Sequence, residues 1–289
     1  MHSSEQIKRY NKLIDLITIK FNESISVKEV ENITNYSYRN MNRIFTSLNK
    51  ESIGKYIKRI RIEKAAENLK YTNNAIGDIA FKIGFNDLAV FNKAFKNKFG
   101  VSPSKFRNKA NIQIISTAKK LNNESNLVQQ KIDYKIELLP DFNILYIEHK
   151  GSYGDIKKIT LTWSKLLNYA KKLAIIDDNS IFLAEILDDN HITDDLNCRY
   201  SAAIIIPESF TKIQNNLFRT KTIKSQKYIK FTHQGSHEKS HETYNLIFPF
   251  IFLNLKLELL DLPILEFYLN DEDNTPKEEL LTEIYIPIK

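Results

Sequence analysis

Hydrophobic positions in the first third of the chain recur at helical spacing, and they outline a motif that occurs twice. The first copy carries Asn35-Tyr36-Ser37 and then Met41, Ile44 and Phe45, and the second carries Gly84-Phe85-Asn86 and then Phe91, Phe95 and Phe99. In each copy a residue that accepts positive φ precedes a polar N-cap and a helix with one apolar stripe. This succession is typical of a helix-turn-helix, and two copies predict two DNA-reading helices in one chain.

Further helices are predicted around these copies. Residues 5–20 have an amphipathic pattern, and Ser26 with Glu29 three residues later forms a capping box. Between the copies, apolar positions in residues 53–69 predict a longer helix that is crowded with Lys and Arg. We interpret it as a solvated connector and, compatibly with that, as a spacer that separates the two reading helices and touches phosphate. Gly100 closes the second copy, and SPSKFR begins a last short helix.

Beyond residue 130 the apolar positions change from helical spacing to alternation. The alternation predicts strands, then a helix over residues 156–173 and then two more strands. The same order of elements follows a second time. The segment from His149 to Ser152 recurs as His233 to Ser236, at an offset of 84 residues. This part is predicted to be a duplicated β-α-β-β unit, in one antiparallel sheet with helices on one side and a central groove at the pseudo-twofold axis.

The whole pattern predicts an α+β chain of two domains. Residues 1–108 form an all-α double helix-turn-helix domain, residues 109–130 a linker rich in Asn, Gln, Ser and Lys, and residues 131–289 the duplicated antiparallel-sheet domain. Residues 1–110 hold 21 Lys and Arg against 10 Asp and Glu, a net charge of +11, whereas residues 111–289 hold 21 against 25, a net charge of −4. A basic module joined to an acidic one favours a polyanion as partner, although charge alone is equally typical of solvated helix faces.

Composition narrows the class of protein. No run of eighteen apolar residues is present, so no transmembrane helix is expected, and MHSSEQIKRYNKL lacks the apolar core of a signal peptide. Cys198 is the only cysteine, which excludes an internal disulfide and fits a reducing cytoplasm. We therefore expect a cytoplasmic protein without a membrane partner.

The outer faces of the two repeated helices carry side chains of the types that contact DNA. Arg donates two hydrogen bonds to guanine, Asn pairs with adenine, and Lys and helix N-termini suit phosphate. The first copy contributes more base-reading candidates than the second. The candidate DNA-binding residues are Ser37, Tyr38, Arg39, Asn42, Arg43, Asp87, Asn92, Lys93 and Lys96. The alternative for any one of them is an exposed polar residue without a base contact.

A carboxylate on the last strand pattern is the candidate ligand anchor of the second domain. Alternation over residues 281–285 places Glu283 and Tyr285 on one face, and the equivalent position of the first repeat is Ala203. A carboxylate that faces a small residue beside aromatic rings suits a cationic or hydrogen-bond-donating apolar ligand. The candidate aromatic walls are Trp163, Tyr146, Tyr153, Tyr244, Tyr268 and Tyr285. The alternatives are an exposed strand glutamate and aromatic residues of the core.

Two other kinds of site are weighed and set aside. Four histidines suggest the hypothesis of a metal site. However, Gly235 predicts a turn among the last three, and no cysteine or carboxylate pattern completes the site. They are His149, His233, His237 and His241. Ser152 and Ser236 do not lie in the G-x-S-x-G elbow of a hydrolase. We expect neither a metal nor a cofactor.

A dense signature runs from Ile79 to Arg107, IAFKIGFNDLAVFNKAFKNKFGVSPSKFR, with GKYIKRIRIEKAAENL before it. These residues resemble the DNA-binding domain of AraC/XylS-family transcription regulators over about residues 8–108. The resemblance implies two recognition helices that lie in successive major grooves. The chain departs from the family where Leu88, Ala89 and Val90 replace polar residues at the start of the second recognition helix. This departure indicates phosphate or thymine-methyl contact there in place of base-specific hydrogen bonds.

Three segments of the second domain carry another resemblance: HKGSYGDI, its echo HQGSHEKS and the terminal LLTEIYIPIK. They resemble the GyrI-like effector-binding domain over about residues 132–289. The resemblance implies that Glu283 faces a hydrophobic ligand cavity. The order of the two domains is similar to that of Rob-type regulators of drug and stress responses.

We therefore expect a sequence-specific transcription regulator, an activator, and not an enzyme. Its partners would be double-stranded DNA, which it binds as a monomer or weak dimer, RNA polymerase, and a small amphipathic or cationic apolar ligand. Two alternatives stay open for the second domain. One is a small-molecule hydrolase with Glu283 as general base, and the other is a protein-interaction domain without a ligand.

Overall fold

The computed structural model describes residues 4–124, 132–210 and 217–289, and of residues 117–124 only the helical backbone. Contacts divide the chain into two units, Met1–Ala110 and Asn111–Lys289. The first unit is all-α and the second is built on an antiparallel sheet. The predicted α+β class with two domains is therefore confirmed.

The first unit contains the two predicted helix-turn-helix copies. Its helices are α1 (Ser4–Lys20), α2 (Val27–Thr34), α3 (Tyr38–Asn49), α4 (Ile53–Tyr71), α5 (Ile76–Lys82) and α6 (Leu88–Phe99), and a further helix, α7 (Pro103–Glu124), begins in this unit and continues past Ala110. The copies are α2–α3 and α5–α6, and their turns contain Asn35 at φ 51° and Gly84 at φ 87°. Ser26 forms the predicted capping box with Glu29 at the start of α2. Both turns thus use a residue type that tolerates the left-handed conformation.

Helix α4 joins the two copies and is buried along most of its length. It contacts α3, α5 and α6, and its buried residues include Ile53, Tyr56, Ile60, Ile62, Ala65, Ala66 and Leu69. The interpretation of this segment as a solvated connector is therefore wrong, because the helix supplies core to both copies. One of its basic residues is engaged internally: Arg59 pairs with Glu51 and with Glu63, both at 2.8 Å.

The guanidinium of Arg61 joins the loop that follows α1 to the turn of the second copy. It donates to the carbonyl oxygens of Phe21 at 2.5 Å, Glu23 at 2.6 Å and Gly84 at 2.8 Å. Gly84 itself lies so close to the backbone of Asn22 that a Cβ atom would collide with the carbonyl oxygen of that residue. The turn of the second copy is thus held against the loop that follows α1.

Helix α7 is longer than the sequence analysis predicts. The short helix that begins at SPSKFR continues to Glu124, through most of the segment interpreted as a linker, and residues 125–130 of that segment lie outside the described residues. Residues 109–124 contain no Gly or Pro, the two residue types with the lowest helix propensity.

The second unit forms an eight-stranded sheet with two helices in the described residues. The strands are β1 (Lys135–Leu139), β2 (Phe142–Lys150), β3 (Phe182–Ile186), β4 (Arg199–Ile206), β5 (Arg219–Ile223), β6 (Gln226–Gln234), β7 (Ile264–Tyr268) and β8 (Leu281–Pro287). The helices are α8 (Ile156–Lys172) and α9 (Ser240–Phe250), and α9 runs into a π-helical turn at Ile251–Leu255. The strand order is β1-β6-β8-β7-β3-β4-β2-β5, with antiparallel neighbours throughout.

The predicted duplication is confirmed, and the unit that repeats has one more strand at its start than the predicted β-α-β-β unit. Strands β1 and β2 precede β5 and β6 by 84 residues, so the repeat is β-β-α-β-β. The sequence analysis missed β5 because RTKTI has only one aliphatic side chain. The first strands are exchanged between repeats: β1 pairs with β6, and β5 pairs with β2. Because the order is symmetric from both ends, the pseudo-twofold axis passes between β3 and β7.

Both helices cover the same face of the sheet. Leu145 and Ala202 pack with Leu166 of α8, and Ile284 packs with Ile247 of α9. Side chains alternate along a strand, so the residues between these face away from the helices. That second face carries Ile144, Tyr146, Leu183, Ala203, Tyr228, Leu265 and Tyr285. At the axis, on the helix-covered face, Ala184 of β3 lies opposite Glu266 of β7.

Candidate functional site

Helix α3 presents two arginines to solvent. Its buried stripe of Met41, Ile44 and Phe45 fixes the side that faces inward. Arg39 and Arg43 lie four residues apart on the opposite side, and both are exposed. They are therefore placed as a base-reading pair requires.

Two other candidates of the first copy hold the start of α3 in place. The Ser37 hydroxyl accepts from the N–H of Asn40 at 3.3 Å, so it acts as the N-cap. The N–H of Tyr38 donates to Oε1 of Glu31 at 2.8 Å, and its side chain packs partly buried against the core of the first copy. Asn40, exposed one position after Arg39, is a polar residue that the sequence analysis overlooked.

Asn42 has a structural contact that conflicts with its predicted role. Its Oδ1 accepts from the N–H of Ile53 at 3.0 Å, at the start of α4. Bidentate pairing with adenine uses both the oxygen and the nitrogen of the amide, so this bond competes with base reading for one lone pair of the oxygen. In this conformation the side chain caps the next helix, and base reading by Asn42 stays a prediction.

Helix α6 presents a different surface. Phe91, Ala94 and Phe95 are buried, and the exposed residues are Leu88, Ala89, Val90, Asn92, Lys93, Lys96 and Asn97. Oδ1 of Asp87 accepts from the N–H of Val90 at 2.8 Å and caps the helix. The predicted Asn92, Lys93 and Lys96 are thus accessible, while the first turn is apolar, with Leu88 40% and Val90 56% exposed.

In the second unit, hydrogen bonds join a buried carboxylate to four aromatic side chains at the pseudo-twofold axis. Glu266 is only 6% exposed. Its Oε1 accepts from the Tyr244 hydroxyl at 2.7 Å, and its Oε2 accepts from the Tyr268 hydroxyl at 3.2 Å. The Tyr268 and Tyr200 oxygens lie 3.2 Å apart, and Nε1 of Trp163 donates to the Tyr200 hydroxyl at 2.7 Å. This set, Glu266 with Trp163, Tyr200, Tyr244 and Tyr268, is called the axial cluster below.

Burial sets the electrostatics of the axial cluster. It raises the pKa of the Glu266 carboxyl above its ordinary value, against the opposing effect of the Tyr244 and Tyr268 hydrogen bonds. Burial also raises the pKa of Tyr244 and that of Tyr268 well above the ordinary tyrosine value. A carboxylate withdrawn from water among aromatic rings favours a cation or a hydrogen-bond donor as its partner.

Glu283, the predicted anchor, lies on the other face of the sheet. Its Oε1 is 2.8 Å from Nζ of Lys230, and its Oε2 accepts from the Tyr285 hydroxyl at 3.0 Å. Tyr146 lies on the same helix-free face, with Lys221 over its ring at 4.7 Å. The prediction that Glu283, Tyr146 and Tyr285 share a groove with Trp163 is wrong, because strand alternation turns them away from the helices.

The structure brings together three of the predicted aromatic residues, Trp163, Tyr244 and Tyr268, around a carboxylate that the sequence analysis passed over. Tyr153 packs on the same face as Trp163 and Tyr268, and its hydroxyl hydrogen-bonds to the carbonyl oxygens of Arg199 at 2.7 Å and Asp188 at 3.0 Å rather than to Glu266, so its role as a ligand wall stays a prediction. The signal that could have found Glu266 was the predicted contrast of a carboxylate with a small residue. It occurs between Glu266 and Ala184, which are direct neighbours on β7 and β3.

Three of the four histidines hydrogen-bond to separate partners. His233 contacts the Thr243 hydroxyl at 2.7 Å, His237 contacts the Thr282 hydroxyl at 2.9 Å, and His241 contacts the carbonyl oxygen of Glu238 at 3.1 Å. His149 is buried on β2. Among the residues that the structure describes, no three His, Cys, Asp or Glu side chains are grouped as metal ligands. Within the same residues, no helix has the length and apolar character needed to cross a bilayer.

Comparisons with known proteins bear on both units. A family model described as a GyrI-like small molecule binding domain matches residues 132–289, and one described as a helix-turn-helix domain matches residues 31–109. The Msm operon regulatory protein of Streptococcus mutans is 34% identical over 106 residues, which cover 36% of this chain and 38% of that protein. The probable transcription factor PqrA of Proteus vulgaris is 35% identical over 86 residues, which cover 30% of this chain and 70% of that protein.

Among solved structures, an EcmrR–DNA complex aligns with 96% of this chain and 98% of that one, at 10% identity and a TM-score of 0.49. This chain spans well under two thirds of the length of the Streptococcus relative.

Proposed function

The chain belongs to the family of proteins with a GyrI-like small molecule binding domain, here preceded by an AraC-type helix-turn-helix domain, and on that premise we propose that it is a transcription regulator that binds double-stranded DNA. The observation that carries the proposal is the pair of helix-turn-helix copies in one unit of net charge +11. Recognition helices of this kind enter successive major grooves, and phosphate attracts the surrounding lysines. Because one chain carries both helices, a two-part site does not require a dimer.

The test of DNA binding is selection of sites from random duplexes by the full-length protein. We expect a preferred site that is bound at least about a thousandfold more tightly than random DNA at physiological salt. Equal affinity for selected and random duplexes would refute sequence-specific regulation. We further propose a cytoplasmic location, activation as the effect, and RNA polymerase as the protein partner, since an activator beside a promoter acts through that enzyme.

For the second unit we propose that Glu266 anchors a small apolar ligand that carries a positive charge. The carboxylate lies at the axis on the face that α8 and α9 cover, and Tyr244 of α9 and Trp163 of α8 both belong to the axial cluster. The carboxylate and the ring faces attract a cation electrostatically, whereas the carboxylate would repel an anion. Burial of the apolar part of the ligand supplies the remaining affinity.

Ligand entry has to compete with the hydrogen bonds that fill the axial cluster. Both oxygens of Glu266 accept from tyrosine hydroxyls, and one of these belongs to Tyr244 of α9. Pro249 lies inside α9, and the π-helical turn follows it, so regular helix hydrogen bonding is interrupted there. We propose that a bound cation displaces the Tyr244 hydroxyl and shifts α9, and that this shift alters the surface offered to the protein partner.

The fluorescence of Trp163 provides the test, because it is the only tryptophan and belongs to the axial cluster. Titration of the full-length protein with tetraphenylphosphonium should change the emission in a saturable way, and neutral triphenylphosphine oxide should bind more weakly. Glu266→Gln keeps the shape of the side chain and removes its charge, so it should weaken cation binding by about tenfold or more. Equal cation affinity of the wild type and Glu266→Gln would refute the anchor.

A protein-interaction domain without a ligand is the second candidate, and one observation favours it. The protein's own hydroxyl groups already satisfy both oxygens of Glu266. On that hypothesis no apolar cation changes the emission of Trp163. Hydrolysis is less well supported. A general base needs a lone pair directed at water or substrate, whereas both oxygens of Glu266 are directed at tyrosine hydroxyls.

A further inference from the structure

We infer that the second recognition helix identifies its half of the DNA site through the methyl groups of thymine rather than through hydrogen bonds to base edges. The inference rests on the proposed DNA-binding function. It concerns the outer face of α6, defined here as Leu88, Ala89, Asn92, Lys93 and Lys96, all of which are exposed.

The buried stripe of α6 fixes how this outer face is oriented. Phe91, Ala94 and Phe95 point into the core of the second copy. Residues spaced by three and four positions share one side of a helix, so Ala89 lies in line with Lys93 and Lys96. Leu88 stands beside Asn92 in the same way. The N-terminal residues of a recognition helix are those that contact base edges, and on α6 these include Leu88 and Ala89, next to the likewise apolar and exposed Val90.

These two side chains can read only one kind of group in the major groove. Leu88 and Ala89 have no hydrogen-bonding side-chain atoms, so the donors and acceptors of the base edges offer them nothing. The C5-methyl of thymine is the apolar group that a base pair shows in that groove, and alanine is among the residues that contact it. Leu88 is 40% exposed in the free protein, so contact with a methyl would bury apolar surface on both partners.

Phosphate contact by the start of α6, the alternative from the sequence, has less support. An anion at a helix N-terminus binds to free backbone N–H groups. The N–H of Val90 donates to Asp87 at 2.8 Å, and the carboxylate of Asp87 repels phosphate from this end of the helix. The basic residues Lys93 and Lys96 lie one and two turns later, where they can contact phosphates that flank a helix already seated in the groove.

Charge also favours DNA over an apolar protein partner at this surface. Lys93 and Lys96 accompany the apolar first turn on the outer face of α6, and the whole unit carries a net charge of +11. A polyanion complements both features at once, because methyl groups line the floor of the groove and phosphates line its edges.

The test removes the methyl group and nothing else. A site is first selected from randomised duplexes by the full-length protein, and each thymine of that site is then replaced in turn by deoxyuridine. Affinity is measured by fluorescence anisotropy at constant salt. We expect wild-type affinity to fall by about fourfold for each methyl that is contacted.

Variants assign the effect to α6. Leu88→Gln should lose the sensitivity to deoxyuridine at one position and keep it elsewhere. The matched control is Ile19→Gln, since Ile19 is an exposed apolar residue of α1, 75% accessible and outside both recognition helices. This control should retain the full sensitivity.

Each other outcome has a distinct meaning. If deoxyuridine leaves wild-type affinity within about twofold at every position while the selected site is still preferred, thymine-methyl reading is overturned and the proposed DNA-binding function stands. If Leu88→Gln and Ala89→Gln both keep every sensitivity of the wild type, α6 is not the reader and the inference is likewise overturned. If no preferred site is selected at all, the proposed function itself fails.

Discussion

Both units of this chain contain a duplication, but the copies differ at exposed residues in the first unit and at a buried residue in the second. In the first unit the copies share a buried interior, with Phe45 and Phe95 both fully buried, and differ on their exposed helix faces. In the second unit the copies share strand order, and they differ at a buried position, where Ala184 faces Glu266. A domain contacts DNA through residues on its surface, whereas it binds a small ligand through residues in its interior. The break in symmetry therefore marks the candidate functional residues of each unit.

Breaking the shared interior of the first unit should have the largest effect. In Gly84→Ala the new Cβ would collide with the Asn22 backbone, at a φ of 87° that side chains rarely adopt. We expect a loss of about 3 kcal/mol or more in the free energy of unfolding, measured by urea denaturation. Gly54→Ala is the control, because nothing lies within 4 Å of its added Cβ and alanine favours a helix. Equal stability of the two variants would contradict the close contact.

The contrast between the exposed faces of α3 and α6 is tested by DNA binding. Arg43→Ala should cost about 1–3 kcal/mol on the selected site and relax the preference at one base pair, since Arg43 is proposed to read a base. Lys93→Ala should weaken binding to specific and random DNA alike. It should also reduce the slope of the logarithm of the binding constant against the logarithm of the salt concentration by about one. Competition assays at several salt concentrations measure both. Uniform loss in Arg43→Ala would remove it from base reading.

The buried contrast of the second unit is tested by pH. The folded protein holds the proton of Glu266 more tightly than the unfolded chain, because burial raises the pKa of this carboxyl above its ordinary value of 4.5. The free energy of unfolding should therefore fall as pH rises from about 4.5 through the raised pKa. Gln does not ionise, so Glu266→Gln should give a flatter profile in this window. Parallel profiles of wild type and variant would contradict a buried carboxylate.

The smallest effect is expected on the helix-free face. Lys230 lies 2.8 Å from Glu283 and 3.1 Å from Glu137, so Glu283→Gln leaves it one carboxylate partner. We expect a loss of less than about 1 kcal/mol in urea unfolding and no change in tetraphenylphosphonium affinity. Loss of cation binding in Glu283→Gln would instead place the ligand on this face.

Much of the fold was predictable because local chemistry specifies it. The capping box at Ser26, the left-handed residue Asn35 and the C-terminal Gly100 each occur where the sequence indicates them. Helix α7 was underestimated because no residue in its extension stops it, and β5 was missed because its residues are mostly charged or threonine. The error at β5 arises because pairing with the distant strand β2, rather than local pattern, defines that element.

The ligand site shows what alternation along a strand leaves open. Alternation correctly placed Glu283 and Tyr285 on one face of the sheet. It could not show which face the helices cover, since that depends on strand order. The predicted partner Ala203 pairs with Tyr146 and Leu183, whereas Glu283 pairs with Thr232 and Phe267. For Asn42, the type and spacing of the residue fitted base reading, and only the position of the Ile53 N–H in space revealed its capping role.

The exchanged first strands impose an order on synthesis and folding. Lys135 of β1 pairs with Lys230 of β6, so β1 has no partner until the ribosome has delivered residues that lie far along the chain. The helices of the first unit contact close neighbours in sequence, and such contacts form quickly. Domains emerge from the ribosome N-terminal first, and distant strand pairing closes slowly. During each round of translation, the helices proposed to hold DNA are therefore complete before the sheet proposed to regulate them exists.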